Sequence, residues 1–193
     1  MLKRAFTTTF FTLLIIQLFS QFFVVTKDGL VNSQDFTKRY VVLDFEDLSS
    51  TQLYNNCLIY IQKNYNSPQD VIKGQVENKF ISFDTHTNQI AQFKIPLVGT
   101  KDIQANFKVS LDFKDGKARF KIVSIEMYYY YDYKKIPFNF KQEIMGWAIY
   151  NKKGKPIKRA TPTKTEIELY INGFILQLKE GIQGGGQLDN DDW

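Results

Sequence analysis

The sequence predicts an α+β domain in which an antiparallel β-sheet carries two helices packed on one face. Three observations lead to this fold class. Apolar and polar residues alternate on both sides of Asp115-Gly116, as is typical of two strands joined by a two-residue turn. One segment before this hairpin and another near the C-terminus repeat apolar residues at helical spacing. The expected order is β-α-β-β-β-β-α, in one domain over residues 39–182.

The hairpin over residues 103–127 allows its register to be tested from the sequence. A two-residue loop places Leu111 opposite Phe120, so that apolar residues meet on one face and an opposite-charge pair falls on the other. After Ile122 the alternation changes phase, because Val123 is apolar as well. One extra residue would restore the inward set, and the pattern therefore predicts a β-bulge at this position.

A first helix is expected after a strand over residues 39–46, which is rich in β-forming side chains. Ser49 and Gln52 have the spacing of a capping box, in which the two residues satisfy each other's free backbone N–H groups. Apolar residues then recur at helical spacing: Leu53, Cys57, Leu58, Ile61 and Tyr65. Because Cys57 lies on this stripe, it is interpreted as a buried structural thiol.

Two short strands are expected between this helix and the hairpin. They cover residues 71–76 and 80–83 and flank a polar turn. The only histidine, His86, would lie just past the second strand among turn-forming residues. Residues 89–101 are interpreted as a connection, because they contain Pro96 and Gly99.

The second helix is predicted near the C-terminus. Thr163 and Glu166 have the spacing of another capping box, and Gly181 is the expected end. Its apolar face is Ile167, Tyr170, Ile171, Phe174, Ile175 and Leu178. Gly173 lowers the helix propensity of this segment, and we interpret it as a place where the helix lies close to the sheet.

The two ends of the chain are expected to lie outside the folded domain. Residues 1–20 have a basic start, an apolar run and a small final residue, which is typical of a secretory signal peptide. An uncleaved anchor over residues 5–25 is the alternative, since a span needs roughly 20 apolar residues. Residues 21–38 are either a linker or a loose β-segment, and residues 183–193 form a glycine-rich, acidic tail that we expect to be flexible.

Composition excludes several kinds of site. The formal net charge is +5 and would fall to +3 without the leader, which indicates solubility rather than a nucleic-acid partner. A single cysteine excludes an internal disulfide and a cysteine-based metal centre within one chain. The sequence also contains neither a phosphate-binding glycine loop nor a metal-ligand motif, so no cofactor, metal or catalytic residue is predicted.

The main candidate for a binding site is a tyrosine-rich segment at the end of the hairpin. The candidate ligand-binding residues are Tyr128, Tyr129, Tyr130, Tyr131 and Tyr133. In a strand, Tyr129, Tyr131 and Tyr133 would share one face and Tyr128 and Tyr130 the other. Exposed tyrosine rings can stack on sugars or proteins while the hydroxyl forms hydrogen bonds. Ordinary β-propensity and core packing are the alternative explanation of the segment.

An acid–base site is the competing interpretation. Asp44 and Glu46 lie at strand spacing on one face, and His86 could act with a nearby carboxylate in a cleft. Paired carboxylates perform such chemistry only at defined separations, and a solvated strand face also explains them. These residues therefore define an alternative, a hydrolase with a carboxylate and His86.

Three segments together resemble an uncharacterised family of exported Bacteroidetes domains with a TATA-binding-protein-like fold. They are Arg39-Tyr40-Val41-Val42, the helix start over residues 48–54, and the Lys-Asp-Gly-Lys-x-Arg hairpin within residues 112–120. The resemblance extends from about Lys27 to Tyr133. It implies export and this fold, and it carries over no catalytic residues, since none are known for the family. The fold itself does not imply DNA binding, because function depends on sites grafted onto folds.

These observations favour a non-enzymatic binding or interaction module of the bacterial cell envelope. Its partner would be a protein or glycan of the envelope, and its location the periplasm, the outer membrane or the extracellular space. Without the leader, no stable membrane span is expected. A structural subunit of an envelope assembly is a further alternative, to be recognised by a large uncovered apolar patch.

Overall fold

The computed structural model describes residues 21–144 and 146–185. The strands are β1 (Phe23–Thr26), β2 (Gly29–Asn32), β3 (Val41–Asp44), β4 (Ile72–Val76), β5 (Phe80–Ile95), β6 (Gly99–Lys114), β7 (Lys117–Tyr131), β8 (Lys134–Lys141) and β9 (Trp147–Tyr150). The helices are α1 (Ser50–Asn64), α2 (Pro68–Val71) and α3 (Thr161–Gln183), and a 3-10 turn precedes α3. The proposed signal peptide, residues 1–20, lies outside the described residues, as do residues 186–193 of the tail.

Seven strands form one sheet, and the two long helices cover one of its faces. The strand order is β4-β5-β6-β7-β8-β9, with β3 also paired to β7. Inward rings of β6 contact both helices: Phe107 meets Phe174 of α3 with ring centroids 5.4 Å apart, and Phe113 meets Tyr54 of α1 at 6.2 Å. Apolar side chains between these layers form a single buried core.

The sheet is mixed, and the expectation of a purely antiparallel sheet is therefore wrong in one place. Strand β9 runs parallel to β8, with Phe138 opposite Trp147. This is possible because the chain turns back beside β8 at Gly146, which has a φ of +88°. A Cβ at Gly146 would lie 2.0 Å from the carbonyl oxygen of Pro137, so only glycine fits this return. The predicted order lacked β1, β2, β8 and β9, and it contained neither α2 nor the parallel pair.

The hairpin register and the bulge are confirmed. Leu111 pairs with Phe120. Val109 pairs with Ile122, but the preceding Lys108 pairs with Ser124, so Val123 is the extra residue of a bulge. Strands β5 and β6 are longer than expected. Residues 89–101 belong to these two strands and do not form a connection, apart from a turn at residues 96–98.

The turn of this hairpin also positions the first helix. Ser50 donates its backbone N–H to Asp115 at 2.8 Å, and this hydrogen bond holds the pKa of the Asp115 carboxyl below its usual value. Gly116 donates to Leu48 and accepts from Phe45, both at 2.8 Å. The most local feature of the sequence, the Asp-Gly turn, is thereby joined to the start of α1.

The first capping box is confirmed. The Gln52 N–H donates to Ser49 Oγ at 3.3 Å, and the Ser49 N–H donates to Gln52 Oε1 at 2.9 Å. Cys57 is fully buried on the inner face of α1, and its burial raises the pKa of the thiol. A thiol in this setting stays protonated and inaccessible, which agrees with a structural role.

The prediction of a second capping box at Thr163 and Glu166 is wrong. Helix α3 begins at Thr161, and its N-cap residue makes no side-chain hydrogen bond. Thr163 Oγ1 instead donates to the carbonyl of Gln92 at 2.6 Å, and Glu166 Oε2 accepts from the Gln92 N–H at 2.6 Å. The pairing of β4 with β5 ends at Phe83. Beyond it, around Gln92, no strand of the described residues pairs with the outer edge of β5, and α3 forms hydrogen bonds with this edge instead.

The interpretation of the glycines in α3 is also corrected. A Cβ at Gly173 would meet nothing within 4 Å, so this residue does not let the helix approach the sheet. At Gly181 a Cβ would lie 2.4 Å from Cδ2 of Tyr60, and this is where α3 lies close to α1. The helix continues past Gly181 and ends at Gln183.

The N-terminal segment contains a short hairpin that is packed against α3. The backbone N–H groups of Phe22 and Phe23 both donate to Asn172 Oδ1 at 2.9 Å. The N–H of Val25 donates to Glu168 Oε1 at 2.7 Å, and the side chains of Phe23 and Val25 belong to the core. The packed domain therefore begins before residue 39, and Val25, the last residue of the alternative anchor, lies in β1.

Candidate functional site

The tyrosine-rich segment separates into buried and exposed residues. Tyr128 and Tyr129 are buried, whereas Tyr130 and Tyr131 are 50% and 48% exposed and Tyr133 is 99% exposed. Tyr133 does not share a strand face with Tyr131, because β7 ends at Tyr131 and Asp132 and Tyr133 form the turn to β8. Two of the five candidate residues are thus part of the folded interior.

Lysine side chains lie against these rings. Lys135 Nζ lies 4.0 Å from the centroid of Tyr128 and forms an ion pair with Glu126 at 2.7 Å. The hydrogen bond that Lys135 donates to the Glu126 carboxylate raises the pKa of Lys135. Lys101 Nζ lies 5.7 Å from the ring centroid of Tyr131. These cation–π contacts orient the rings while leaving the outer part of the segment open to solvent.

A second turn lies beside the tyrosine turn, and the sequence analysis missed it. The β6–β7 register pairs Gln104 with Tyr128, so that the start of β6 and the end of β7 lie at the same end of the sheet. The turn between β5 and β6 places Leu97 fully in solvent and leaves Val98 39% exposed. The sequence does contain an indication of this turn. Leu97 and Val98 are two apolar residues directly after Pro96, in a segment that was expected to be an exposed connection.

We call this surface the aromatic end. It consists of Leu97, Val98, Tyr130, Tyr131 and Tyr133. The strand tyrosines and the two turns are held by the ladder beneath them, and Tyr130 and Tyr131, which are consecutive in β7, lie on opposite faces of the sheet at this end. Such an arrangement can bind an apolar or sugar-like surface, since tyrosine offers both ring area and a hydroxyl.

A cleft of about 620 Å³ lies on the other side of the molecule, between the end of α1, the edge of β5 and α3. Aromatic rings form part of its wall: Tyr65 contacts Phe83 at 5.8 Å and Tyr170 contacts Phe107 at 6.5 Å between centroids. The polar lining residues are Asn64, Asn66, Asp70, Lys73, Asp84, Thr85, His86 and Gln177. The volume is in the range of small-ligand sites.

His86 lines this cleft, although it lies within strand β5 and not in a turn as predicted. Its Nδ1 lies 2.8 Å from Asn106 Oδ1 and its Nε2 lies 2.9 Å from Asn88 Oδ1. The nearby Asp84 lies 3.8 Å from Lys73 and 3.9 Å from Lys108. Both imidazole nitrogens therefore contact amide oxygens, and the carboxylate is directed to lysines.

The other acidic pair, Asp44 and Glu46, lies on solvent-exposed backbone. Asp44 is the last residue of β3, Glu46 follows the strand, and both are exposed on either side of the buried Phe45, as expected of a solvated face. In the part of the chain that the structure describes, no group of three or more His, Cys, Asp or Glu side chains is placed to hold a metal ion.

Two solved structures share this α+β architecture, a TBP-like fold. One is a TBP-like protein from Parabacteroides distasonis, with 12% identity and a TM-score of 0.52, covering 75% of this chain and 90% of that one. The other is a DUF4468 family protein from Bacteroides ovatus, with 13% identity and a TM-score of 0.51, covering 75% of this chain and 84% of that one. At these identities the likeness concerns the fold alone.

The family assignment comes from the sequence of the central region. Residues 40–128 match the family described as a domain of unknown function (DUF4468) with TBP-like fold. The resemblance inferred from the sequence is therefore confirmed by a family match over residues 40–128. The match is narrower than the expected Lys27 to Tyr133. No curated protein matches the chain.

Proposed function

We propose that this protein is an exported, non-enzymatic binding or interaction module of the bacterial cell envelope. The observation that carries the proposal is the aromatic end, where Tyr130 and Tyr131 are half exposed on a rigid strand. Aromatic residues are enriched at binding surfaces because they bury a large area at low entropic cost. The partner we propose is a protein or a glycan of the envelope.

Export is proposed from the leader of residues 1–20, with cleavage after Ser20. The expected location is the periplasm, the outer membrane or the extracellular space. Among the described residues, none of the helices has the length and apolar character needed to cross a membrane. N-terminal sequencing of protein recovered from the host tests the cleavage: Gln21 is the expected first residue, and a retained Met1 would contradict it.

The binding role is tested by capture from an envelope extract with the purified domain. We expect the double variant Tyr130→Ser, Tyr131→Ser to lose most of the captured protein or glycan. Phe36→Ser is the matched control, because Phe36 is 67% exposed and lies outside the aromatic end. Capture that is equal for the wild type and the tyrosine variant would refute the assigned site.

An envelope hydrolase remains the second candidate, because His86 lines a cleft together with Asp70 and Asp84. The geometry gives it less support than the binding role, since both nitrogens of His86 contact amide oxygens. The test is hydrolysis of isolated envelope material by the purified protein. Activity that disappears in His86→Ala and in Asp84→Asn would favour this candidate over the binding module.

A structural subunit is the third candidate, since it too would use uncovered apolar side chains. It predicts a stable assembly of the purified domain that dissociates when the aromatic end is altered. A monomer in solution that still captures its ligand would favour the binding module.

A further inference from the structure

The two turns of the aromatic end form a pair of apolar tips. The carbonyl of Ile95 accepts a hydrogen bond from Val98 at 3.2 Å, which closes a tight turn with Pro96 and Leu97 at its centre. The β7–β8 turn contains Asp132 and Tyr133. Since strands β6 and β7 are neighbours in the sheet, the two turns lie side by side. Leu97 and Tyr133, which we call the tip residues, are each essentially fully exposed.

Both tip residues have a backbone conformation that bulky side chains rarely adopt. Leu97 has a φ of +63° and Tyr133 a φ of +60°. A turn with proline at its second position and a positive φ at its third normally carries Gly or Asn there. Two-residue hairpin turns favour the same residues. The chain thus places large apolar groups at two adjacent positions where local conformation favours small ones, and strain of this kind is concentrated at functional sites.

The charge around the tips is positive. Within three residues of the two turns the sequence has four lysines and one aspartate, and one of these lysines, Lys135, is paired with Glu126, which leaves a net charge of +2. The lysines are Lys94, Lys101, Lys134 and Lys135. Lys94 and Lys134 are exposed, and neither forms an ion pair with another residue that the structure describes. The chemical pattern is therefore apolar at the extreme end and cationic just behind it.

We propose that the aromatic end docks on a negatively charged bilayer, with Leu97 and Tyr133 inserted at the interface and Lys94 and Lys134 against lipid phosphates. The inference rests on the proposed function in one respect, the export of the protein, and it gives the same end of the sheet a lipid surface in addition to the proposed protein or glycan. Charge complementarity selects the lipid surface: a basic collar around apolar tips fits an anionic headgroup layer above hydrocarbon. Tyrosine suits this boundary because its ring is apolar and its hydroxyl polar.

The length of the tips limits the depth of insertion. Each tip is a tight turn with a single fully exposed apolar side chain, so the bound state is reversible and peripheral. Because the lysine contribution is electrostatic and exposed, binding should weaken as salt is added. A bilayer without anionic lipid should bind the protein poorly.

The test is co-sedimentation of the leader-free protein with vesicles of phosphatidylethanolamine and phosphatidylglycerol, compared with vesicles of phosphatidylcholine alone. We expect wild type to bind the anionic vesicles and the double variant Leu97→Asn, Tyr133→Asn to bind about tenfold more weakly. Asparagine tolerates a positive φ, so this variant keeps the turn conformation. Ile144→Asn is the matched control, since Ile144 is 96% exposed elsewhere, and its binding should be unchanged.

A second measurement reports insertion directly. In the variant Tyr133→Trp, we expect the tryptophan emission to shift to shorter wavelength on addition of anionic vesicles, because the indole leaves water. Failure of wild type to sediment, or equal sedimentation of wild type and the asparagine variant, would overturn the bilayer proposal. So would capture of a lipid-free protein or glycan that depends on Leu97 and Tyr133.

The two proposals fail in different ways. If vesicle binding is absent but the Tyr130→Ser, Tyr131→Ser variant still loses a soluble envelope ligand, the binding module stands and the bilayer is not its partner. If the domain binds neither vesicles nor any envelope component, both proposals are overturned. Vesicle binding that depends on Leu97 and Tyr133 supports the bilayer proposal, and the capture experiment with the Tyr130→Ser, Tyr131→Ser variant decides separately whether the binding module has a protein or glycan partner.

Discussion

Two glycines in the same helix have opposite surroundings. Gly173 faces open space, whereas Gly181 lies against the ring of Tyr60 in α1, whose burial raises the pKa of Tyr60 to about 12. From the sequence, Gly173 was expected to lie where the helix approaches the sheet and Gly181 to end the helix. In the structure it is Gly181 that lies close to a neighbouring helix. Which glycine meets another helix depends on how α1 and α3 cross, and that depends on the whole core.

We expect the two Gly→Ala substitutions to change stability in opposite directions. Gly173→Ala should raise the free energy of unfolding by about 1 kcal/mol, because alanine has the higher helix propensity and meets no neighbour. Gly181→Ala should lower it by about 1–3 kcal/mol, because the new methyl group overlaps Tyr60. Urea unfolding of both variants measures this, and each serves as the control for the other. Equal effects would contradict the packing of α3 on α1.

The positive φ of the tip residue Leu97 lowers the stability of the fold, and a substitution can measure by how much. Leu97→Gly should raise stability by about 1 kcal/mol, because glycine adopts a φ of +63° without the steric penalty of a Cβ. Leu97→Ala keeps the Cβ and should give no such gain. Thermal unfolding of the two variants is the measurement. A Leu97→Gly variant that is less stable than wild type would show that the side chain contributes more to folding than its exposure indicates.

At the scale of elements, the Asp115-Gly116 hairpin was predictable because its information is local. The alternation of Leu111 and Phe120 around the turn fixes the register, and the apolar Val123 shows where the phase changes. The Thr163/Glu166 pattern was wrongly interpreted as a capping box, because the same two side chains can also form hydrogen bonds with a residue that is distant in the sequence. Thr163 and Glu166 bind Gln92, and nothing near them in the sequence indicates this contact.

The contact between α3 and the edge of β5 gives the third prediction. Thr163→Val should lower the free energy of unfolding by about 1–3 kcal/mol, because the hydroxyl is buried and its loss leaves the Gln92 carbonyl without this donor. Glu166→Ala should lower the free energy of unfolding by about 1 kcal/mol. The loss is smaller because the backbone N–H of Gln92, which donates to Glu166, is more exposed. Denaturant unfolding measures both.

Glu166→Gln is the control, because its side-chain oxygen can still accept the hydrogen bond. If the Gln92 contact matters, this variant should retain most of the stability that Glu166→Ala loses. A loss equal to that of Glu166→Ala would assign the effect to charge near the start of α3 instead of to the bond with β5.

At the scale of the molecule, the sequence predicted the central layers but not the packing of the N-terminal hairpin, nor strands β8 and β9 between the central hairpin and α3. The tyrosine strand was identified as a candidate site, yet which rings are exposed depends on β8, which was not predicted. Leu97 was missed because Pro96 and Gly99 are typical of a long connection, whereas Pro96 lies in a tight turn and Gly99 is the first residue of β6. Strand β9 depends on the return of the chain at Gly146, which alternation cannot indicate.

The N-terminal hairpin is the addition with the clearest consequence for stability. Asn172 joins it to α3 through both groups of its amide: Oδ1 accepts from Phe22 and Phe23, and Nδ2 donates to the Phe23 carbonyl at 3.0 Å. Cleavage after Ser20 would leave these contacts intact, because Gln21 would become the first residue. Removal of residues 21–32 would also expose the core side chains of α3 that Phe23 and Val25 cover.

We therefore expect Asn172→Ala to lower the free energy of unfolding by about 2–4 kcal/mol, because several partly buried backbone groups of β1 lose their partner at once. Amide hydrogen exchange should show faster exchange throughout residues 22–32, while β6 and β7 remain protected. Asn172→Asp keeps the acceptor and loses the donor, so its stability should lie between those of wild type and Asn172→Ala. If Asn172→Ala unfolds at the wild-type urea concentration, the hairpin is not part of the cooperative unit, and the domain begins with β3.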